Sequence, residues 1–440
     1  MNDLFFTLTS MQTAIAHIDA DAFFASCEEV IHPELKGKPI VTGAERGIIA
    51  CASYPAKALG IKRGITLRDA KKLCPQLVIL PSDYETYSLF SRRMFAVMRR
   101  FTPDVEEYSV DEAFCNLRGM RRCLKGSYED IARRMQAAVK KELGVTVSVG
   151  LSLTKVLAKI ASKWKKPEGF TIIRGREIPR YLQDVPIGKV WGIGPATTAY
   201  LNKHGVKTAL DFARWPEEVV KKRLTKPGRE IWQELRGVSV LPVSPEAKTD
   251  YATITKSRTF APASDDEAYV YAHLLRNLES ACIKARRYKL AAKKIVAYLR
   301  MQDFSGAALE MKLDRPSNCP LEMAGLLHGL FLGLFKRGRL YRATGVVLLD
   351  LCPDANVQYS LFEDPLQAVK VQDAYAAMDQ LSGRYGKHVV HLGASHLIEV
   401  RGRGRRGEPT AREQTRFLGE TKRKHLGLPL IHLPPPKQGS

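Results

Sequence analysis

The chain alternates between short apolar runs and longer charged stretches with helical spacing. Thr13–Ile18 is apolar enough for a first strand, and Phe23–Val30 repeats its apolar residues at helical intervals until His32-Pro33 stops it. Pro39–Thr42 and Gly47–Cys51 read as two short strands. Lys57–Leu59 reads as a helical turn halted by Gly60, and Arg68–Leu73 as a helix closed by Pro75. A long amphipathic helix is predicted over Tyr84–Phe101. Val105–Tyr108 and Glu112–Leu117 then form a strand hairpin with Asp111 at or near its tip. A helix over Tyr128–Leu143, a strand over Val145–Gly150 and a helix over Lys155–Lys163 complete the pattern. Such a mixture predicts an antiparallel-containing sheet backed by helices.

From about residue 177 to 243 the pattern changes to short helices around Val190-Trp191-Gly192-Ile193-Gly194-Pro195. Gly192 and Gly194 permit a tight turn, and Pro195 suits the first turn of a helix. Exposed amides there, flanked by Lys189 and Lys203, suit a DNA phosphate, although an ordinary helix-turn-helix packing unit has the same signature. Pro242–Asp250 reads as a linker. Beyond it, strands over Ile254–Phe260, Lys294–Met301, Ala308–Leu313 and Ala343–Leu351 alternate with helices over Ala268–Arg286 and Leu321–Phe335, a small α/β domain. Leu274, Leu278, Ala281 and Ala285 mark one helix face as core. Lys284, Arg286, Arg287, Lys289, Lys293 and Lys294 cluster beside it as candidate phosphate contacts. A further helix is expected over Pro365–Leu381. The last forty residues, with the Arg-Gly tract at 401–407 and Pro434-Pro435-Pro436, read as mostly disordered.

Charge narrows the range of partners. The 440 residues carry 69 Lys and Arg against 46 acids, a net charge of +23, which points to a polyanion. No apolar run is long enough to span a bilayer, and no signal-peptide pattern opens the chain, so nucleic acid is the more economical partner than a membrane. The eight cysteines form no CxxC pair, which favours reduced core thiols in the cytoplasm over zinc or disulfides.

The most informative chemistry lies in Tyr108-Ser109-Val110-Asp111-Glu112-Ala113-Phe114. Neighbouring residues on a strand face opposite ways, so one of these two acids would be buried. Burying an unpaired carboxylate costs several kcal/mol, so such a pair sits at a turn or holds a cation. Asp19 lies in a similar apolar setting, Ala16 to Phe24. Acids from two strands that meet in space can hold Mg²⁺ through oxygen ligands, and two such ions serve phosphoryl and nucleotidyl transfer. Two strands ending in solvated acids remain the plainer alternative at this point.

Further motifs carry a resemblance. Ile18 to Glu28, Gly37-Lys38-Pro39-Ile40-Val41, Ala52 to Lys57, Tyr108 to Phe114, Gly150 to Lys166 and Trp191-Gly192-Ile193-Gly194 occur in this order over residues 12 to 355. Together they resemble the Y-family translesion DNA polymerases of the bacterial DinB/UmuC branch. The resemblance implies an α+β multidomain, right-hand polymerase and an error-prone, template-directed DNA polymerase without proofreading. Its palm would be 11–22 and 83–176, its small fingers 23–82 and its helical thumb 177–243. A linker at 244–250, an α/β little finger at 251–355 and a partly disordered extension at 356–440 would follow. It further implies that Asp19, Asp111, Glu112 and the Ala20 carbonyl hold two Mg²⁺ ions, for which Mn²⁺ can substitute. Asp21 would be a structural hydrogen-bonding residue.

The same resemblance makes Phe24 a steric gate beside Phe23 and assigns Tyr54, Lys57 and Lys166 to the incoming triphosphate. Position 57 is commonly Arg in relatives, and Lys keeps the charge while losing the bidentate fork. Ala22 stands where some relatives have an aromatic residue. Lys159, Gly192, Gly194, Lys256 and Arg258 would meet the backbone of primer-template DNA. Gln358, Leu361 and Phe362 resemble a sliding-clamp peptide. Met378 to Gly386 resembles the UmuC-type extension, whose relatives work with a UmuD-type accessory protein and a RecA filament. A cytoplasmic, nucleoid-associated bacterial protein is implied. Two other readings compete with a deoxynucleotide-using polymerase. A DNA- and clamp-binding adaptor is disfavoured by Asp19, Asp111, Glu112 and Lys166, and another metal-dependent phosphotransferase by the gate and triphosphate positions.

Overall fold

The computed structural model describes residues 13–246, 251–356, 365–385, 388–398 and 400. The chain divides into two compact units, one ending at Ala247 and the other beginning at Lys248. In the first, the strands are β1 (Ile15–Ala20), β2 (Ile40–Thr42), β3 (Cys51–Ala52), β4 (Val78–Leu80), β5 (Val105–Glu107), β6 (Glu112–Asn116), β7 (Val147–Ser152) and β8 (Phe170–Ile172). Its longer helices are α1 (Phe23–Ile31), α2 (Tyr84–Arg99), α3 (Tyr128–Leu143), α4 (Lys155–Trp164), α5 (Pro195–Lys203) and α6 (Lys226–Leu235).

The main sheet has the order β5-β6-β1-β7-β8 and is antiparallel except between β7 and β8. All six residues of β1 are buried. Because strand residues alternate between faces, this central strand is covered on both sides. β1 runs two residues beyond the expected Ile18. Its ladder with β7 continues to Ala20, whose amide donates to the Asp111 carbonyl at 2.9 Å. The apolar run ends before the strand does because the polar residues at its end belong to a site.

Helix α4 lies across β7 and β1. Gly150 allows this: a Cβ there would sit 2.1 Å from the Ala158 carbonyl oxygen and 2.2 Å from the Ser162 nitrogen. Thr154 caps α4 by accepting from the Leu157 amide. Ser127 and Asp130 form a capping box at the start of α3, and Gly144, at φ +70°, ends that helix as predicted. The second sheet, β3-β2-β4, has its own small core around Val41, Ile61, Ala70 and Leu77.

The helices of 178–235 do not form a core of their own. Val156, Leu157 and Ile160 of α4 share one cluster with Leu182, Leu201, Phe212 and Trp232. The expected linker is also partly fixed. The buried Glu234 carboxylate accepts from the Val240 and Leu241 amides, and Lys155 donates to the Pro242 carbonyl. The Ser244 amide donates to Glu106.

In the second unit, strands β9 (Ile254–Ser264), β10 (Leu290–Met301), β11 (Gly306–Ser317) and β12 (Tyr341–Pro353) form an antiparallel sheet of order β11-β10-β12-β9. Helices α7 (Glu267–Arg287) and α8 (Pro320–Leu334) bury Leu274, Leu278, Leu327 and Phe331 against Ile295, Ala297, Val346 and Leu348. Every strand is longer than its apolar run, since ladder pairing extends a strand past the residues that face the core. Helix α9 (Pro365–Tyr385) docks here through Asp379, which takes two hydrogen bonds from Arg286 at 2.7 and 2.8 Å, and through the Tyr375 hydroxyl, which accepts from the Leu321 amide.

Three of the six basic residues beside α7 have partners within the chain. Arg286 is committed to Asp379, Lys294 lies between Glu310 and Asp350, and the Lys284 ammonium sits 4.1 Å over the Tyr251 ring. All eight cysteines are free thiols. The expected clamp peptide and the Arg-Gly tail lie outside the described residues. No described helix is long and apolar enough to cross a membrane.

Candidate active site

The β1–β6 register sets Asp19 directly opposite Glu112, and His17 opposite Phe114. Residues two apart on a strand share a face, so His17, Asp19, Glu112 and Phe114 line one side of the sheet. One ligand atom from each of His17, Asp19 and Glu112 falls within 4.8 Å of the others. Asp111 sits in the tight β5–β6 connection, where its carboxylate accepts from the Ser109 hydroxyl at 2.5 Å and its carbonyl receives the Ala20 amide. The hairpin thus makes Asp111 a turn residue and Glu112 the first residue of a strand. The two neighbouring acids need no buried, unpaired carboxylate between them.

Helix α4 brings cations to this face. Lys155, Lys159 and Ser162 occupy i, i+4 and i+7, one stripe of a helix. Lys155 bonds Glu106 at 2.7 Å, Lys159 bonds Glu112 at 2.8 Å, and the Ser162 hydroxyl meets His17 Nδ1 at 2.7 Å. Just past the helix, Lys166 reaches Asp19 at 2.6 Å and Asp21 at 3.5 Å. Burial pushes the Glu112 carboxyl upward. The close contacts with His17 and with the Lys159 ammonium overcome that and bring it to about 2. Asp111 is raised by burial first, against the pull of Ser109, with the charges of Asp19 and Glu112 adding to the rise. His17 is lowered chiefly by burial.

Two observations fit this set to a divalent cation. Asp111 is pushed up partly by its acidic neighbours, a repulsion that a bound cation would relieve. His17 Nε2 is buried, lies 3.2 Å from Glu112 Oε2, and still lacks a partner that meets hydrogen-bond geometry.

Asp21, 1% exposed, organises the neighbouring loop. It accepts from the Ser148 hydroxyl at 2.8 Å, the Glu168 amide at 2.8 Å and, at 3.4 Å, the Tyr54 hydroxyl. Tyr54 is raised by its burial and then by Asp21. Lys57, on the same short helix, is exposed with its ammonium 4.2 Å over the Tyr54 ring. Phe23 is buried in α1. The half-buried Phe24 stacks on Tyr87 at 4.5 Å and meets Tyr84 edge-on at 5.5 Å.

Lys159 is 6% exposed and lies inside the site, 4.3 Å over the Tyr108 ring. Gly192 has φ +86°, and a Cβ there would meet Ile231 at 2.4 Å; Gly194 caps α5. In the second unit, Lys256 and Arg258 fall by alternation on the side of buried Ile254 and Phe260, at the sheet edge, while exposed Thr255, Ser257 and Thr259 face the other way. Sequence reasoning missed His17, Ser148, Ser162, Tyr87 and the position of Trp191. For His17 and Ser162 the signals were present: spacing i, i+2 from Asp19, and i+7 on the lysine stripe.

Residues 18–163 match the impB/mucB/samB family, 176–206 the IMS family HHH motif and 252–361 the impB/mucB/samB family C-terminal domain. DNA polymerase IV of Moorella thermoacetica is 34% identical over 400 residues, covering 88% of this chain and 97% of that protein. The chain belongs to the Y-family of DNA polymerases. It is therefore a DNA-directed DNA polymerase, of a family that uses divalent metal ions. DNA polymerase IV of Desulfatibacillum aliphaticivorans is 31% identical, covering 87% and 97% of the two chains.

Two solved Y-family structures resemble this polymerase. The Y-family DNA polymerase chimera Dbh-Dpo4(243-245)-Dbh covers 77% of this chain and 98% of its own, with 25% identity and a TM-score of 0.63. An insertion ternary complex of Dbh DNA polymerase covers 76% and 98%, with 25% identity and a TM-score of 0.52. In this Y-family polymerase the HHH motif spans the Gly192 turn, and the acids stand on the sheet of the first family segment.

Proposed function

We propose that this polymerase carries out error-prone translesion synthesis by two-metal-ion nucleotidyl transfer. The observation that carries the mechanism is the cross-strand pair Asp19–Glu112 beside Asp111, with Lys166 on Asp19. Asp19, Asp111, Glu112 and the Ala20 carbonyl would hold Mg²⁺, or Mn²⁺ in its place. Such ions lower the pKa of a primer 3′-hydroxyl and neutralise departing pyrophosphate. Lys166, Tyr54 and Lys57 would grip the triphosphate, with Lys166 exchanging a carboxylate for a phosphate. Phe24, its ring fixed on Tyr87, would exclude a 2′-hydroxyl.

The region around the small sheet would serve as fingers, the main sheet as palm, 177–243 as thumb and 251–355 as little finger. With its modest core, the finger region would check the shape of a nascent pair loosely, which supports low fidelity. Gly192, Gly194, Lys256 and Arg258 would touch primer-template DNA, and Gln358, Leu361 and Phe362 a sliding clamp. The enzyme would act in the bacterial cytoplasm, with a UmuD-type accessory protein and a RecA filament as further candidate partners.

The test is primer extension with Mg²⁺ and four deoxynucleotides by the parent and by Asp111→Ala. The variant should lose nucleotide addition by about a thousandfold or more while keeping most of its DNA affinity. Metal-dependent synthesis by clean Asp111→Ala protein would reject the site assignment.

A further inference from the structure

The ammonium of Lys159 is more enclosed than a DNA contact requires. It bonds Glu112 Oε1 at 2.8 Å, and three rings surround it: Tyr108 at 4.3 Å, Trp191 at 5.5 Å and Phe114 at 5.9 Å. The Trp191 indole donates to the Tyr108 hydroxyl at 2.7 Å, which ties two of those rings together. On the other side of the same carboxylate, Glu112 Oε2 faces His17, whose Nδ1 meets the Ser162 hydroxyl. That hydroxyl also lies 3.0 Å from the Lys159 carbonyl, so one serine touches both the His17 ring and the helical turn that carries Lys159. One oxygen of Glu112 is therefore held by a buried cation, and the other faces the buried His17 ring at 3.2 Å.

We propose that Lys159 is an internal counter-ion that competes with divalent cations for Glu112, with His17 and Ser162 aiming the same carboxylate. This rests on the metal reading of the site. Lys159 and His17 are then positioning residues that act through Glu112. A caged ammonium at a ligand carboxylate opposes a second cation by direct occupancy and by like charge. Lys166 on Asp19 does the same at the neighbouring acid. Without a nucleotide both acids are already neutralised by the chain's own lysines, so the site takes cations weakly. A triphosphate, by adding negative charge and drawing Lys166 to itself, restores the demand for metal. Cation occupancy is thereby tied to nucleotide occupancy.

The test uses the full-length protein without DNA or nucleotide, titrated with Mn²⁺ alone, and reads free Mn²⁺ by electron paramagnetic resonance. Lys159→Met should bind Mn²⁺ about tenfold more tightly than the parent. Lys159→Arg, which restores the charge, should return towards parental affinity. Lys163→Met removes an exposed cation within electrostatic reach of Asp19 and Glu112 but with no direct bond to Glu112 recorded, and it should change affinity by about twofold at most. Lys155→Met, which breaks the equally buried pair with Glu106, controls for damage to α4 and should leave Mn²⁺ affinity unchanged.

Equal affinity in Lys159→Met and the parent, with matching thermal melts, would overturn the inference. So would equal tightening in Lys163→Met. If Lys159 instead served a DNA phosphate, its loss would lower the salt dependence of DNA binding by about one charge, and Mn²⁺ affinity would not move. A parent that binds no Mn²⁺ with or without deoxynucleotide would overturn the metal reading itself, a distinct result.

Discussion

Phe24 owes its orientation to Tyr87. The two rings stack, and the Tyr87 hydroxyl is anchored on the buried carboxylate of Glu28 at 2.5 Å. A gate against a 2′-hydroxyl must be rigid, and this arrangement separates its two requirements. Phe24→Ala should raise ribonucleotide incorporation by at least about tenfold while deoxynucleotide addition persists, measured as the ratio of the two kcat/KM values. An unchanged ratio would remove Phe24 from that role. Tyr87→Phe keeps the ring but leaves Glu28 without its hydroxyl partner. It should preserve the ratio and lose about 1–3 kcal/mol of stability in denaturant melts of the first unit. At this scale the sequence was legible in part. Asp19, Asp111 and Glu112 announce themselves because acids in apolar strands are costly. Phe24 was singled out only through the family resemblance, and Tyr87 was missed, since an aromatic residue in an apolar run reads as core until its stacking partner is seen. His17 shares a face with Asp19 by spacing alone, but only the strand register shows that it also faces Glu112.

Among the elements, α4 and its seat on β7 position the site. Gly150 is the contact point, and Gly150→Ala would drive a methyl group into the Ala158 carbonyl. The helix must then lift, taking Lys159 and Ser162 with it. The expected result is a loss of about 3 kcal/mol, with reduced nucleotide addition in whatever protein still folds. Undiminished stability would mean that α4 does not bear on β7 as described.

Helix α7 offers a pH test. His273 is 3% exposed, stacked on Phe260 at 4.5 Å, and its folded pKa is lowered to about 4 by burial, with Arg258 and Arg276 adding to the effect. A base whose folded pKa is depressed contributes stability above its unfolded value of about 6.5 and loses it as pH falls towards the folded value. The second unit should lose about 3 kcal/mol between pH 6.5 and 4, and His273→Phe should flatten that part of the profile. Helix and strand identities were readable from periodicity, and Tyr128–Leu143 forms over the expected residues, between a capping box and Gly144. Strands β4 and β8 were missed. Each is a three-residue edge strand paired parallel to its one neighbour, β2 or β7, so no hairpin turn marks it in the sequence.

For the molecule as a whole, charge and family were the legible features. A net charge of +23 pointed to a polyanionic partner, and membership in a DNA polymerase family accounts for it. Local reading misjudged how the parts join. Region 177–243 looked self-contained, yet its core runs into α4, and the stretch taken for a linker is hydrogen-bonded through Ser244. Cores form between segments far apart in sequence, which periodicity within one segment does not report.

Synthesis past damage is decided by extending a primer across an abasic site with Mg²⁺ and four deoxynucleotides, beside an undamaged template and the Asp111→Ala protein. The parent should extend both primers, with full-length product beyond the abasic site, and Asp111→Ala should extend neither. Extension of the undamaged primer that stops one nucleotide before the abasic site would contradict translesion synthesis.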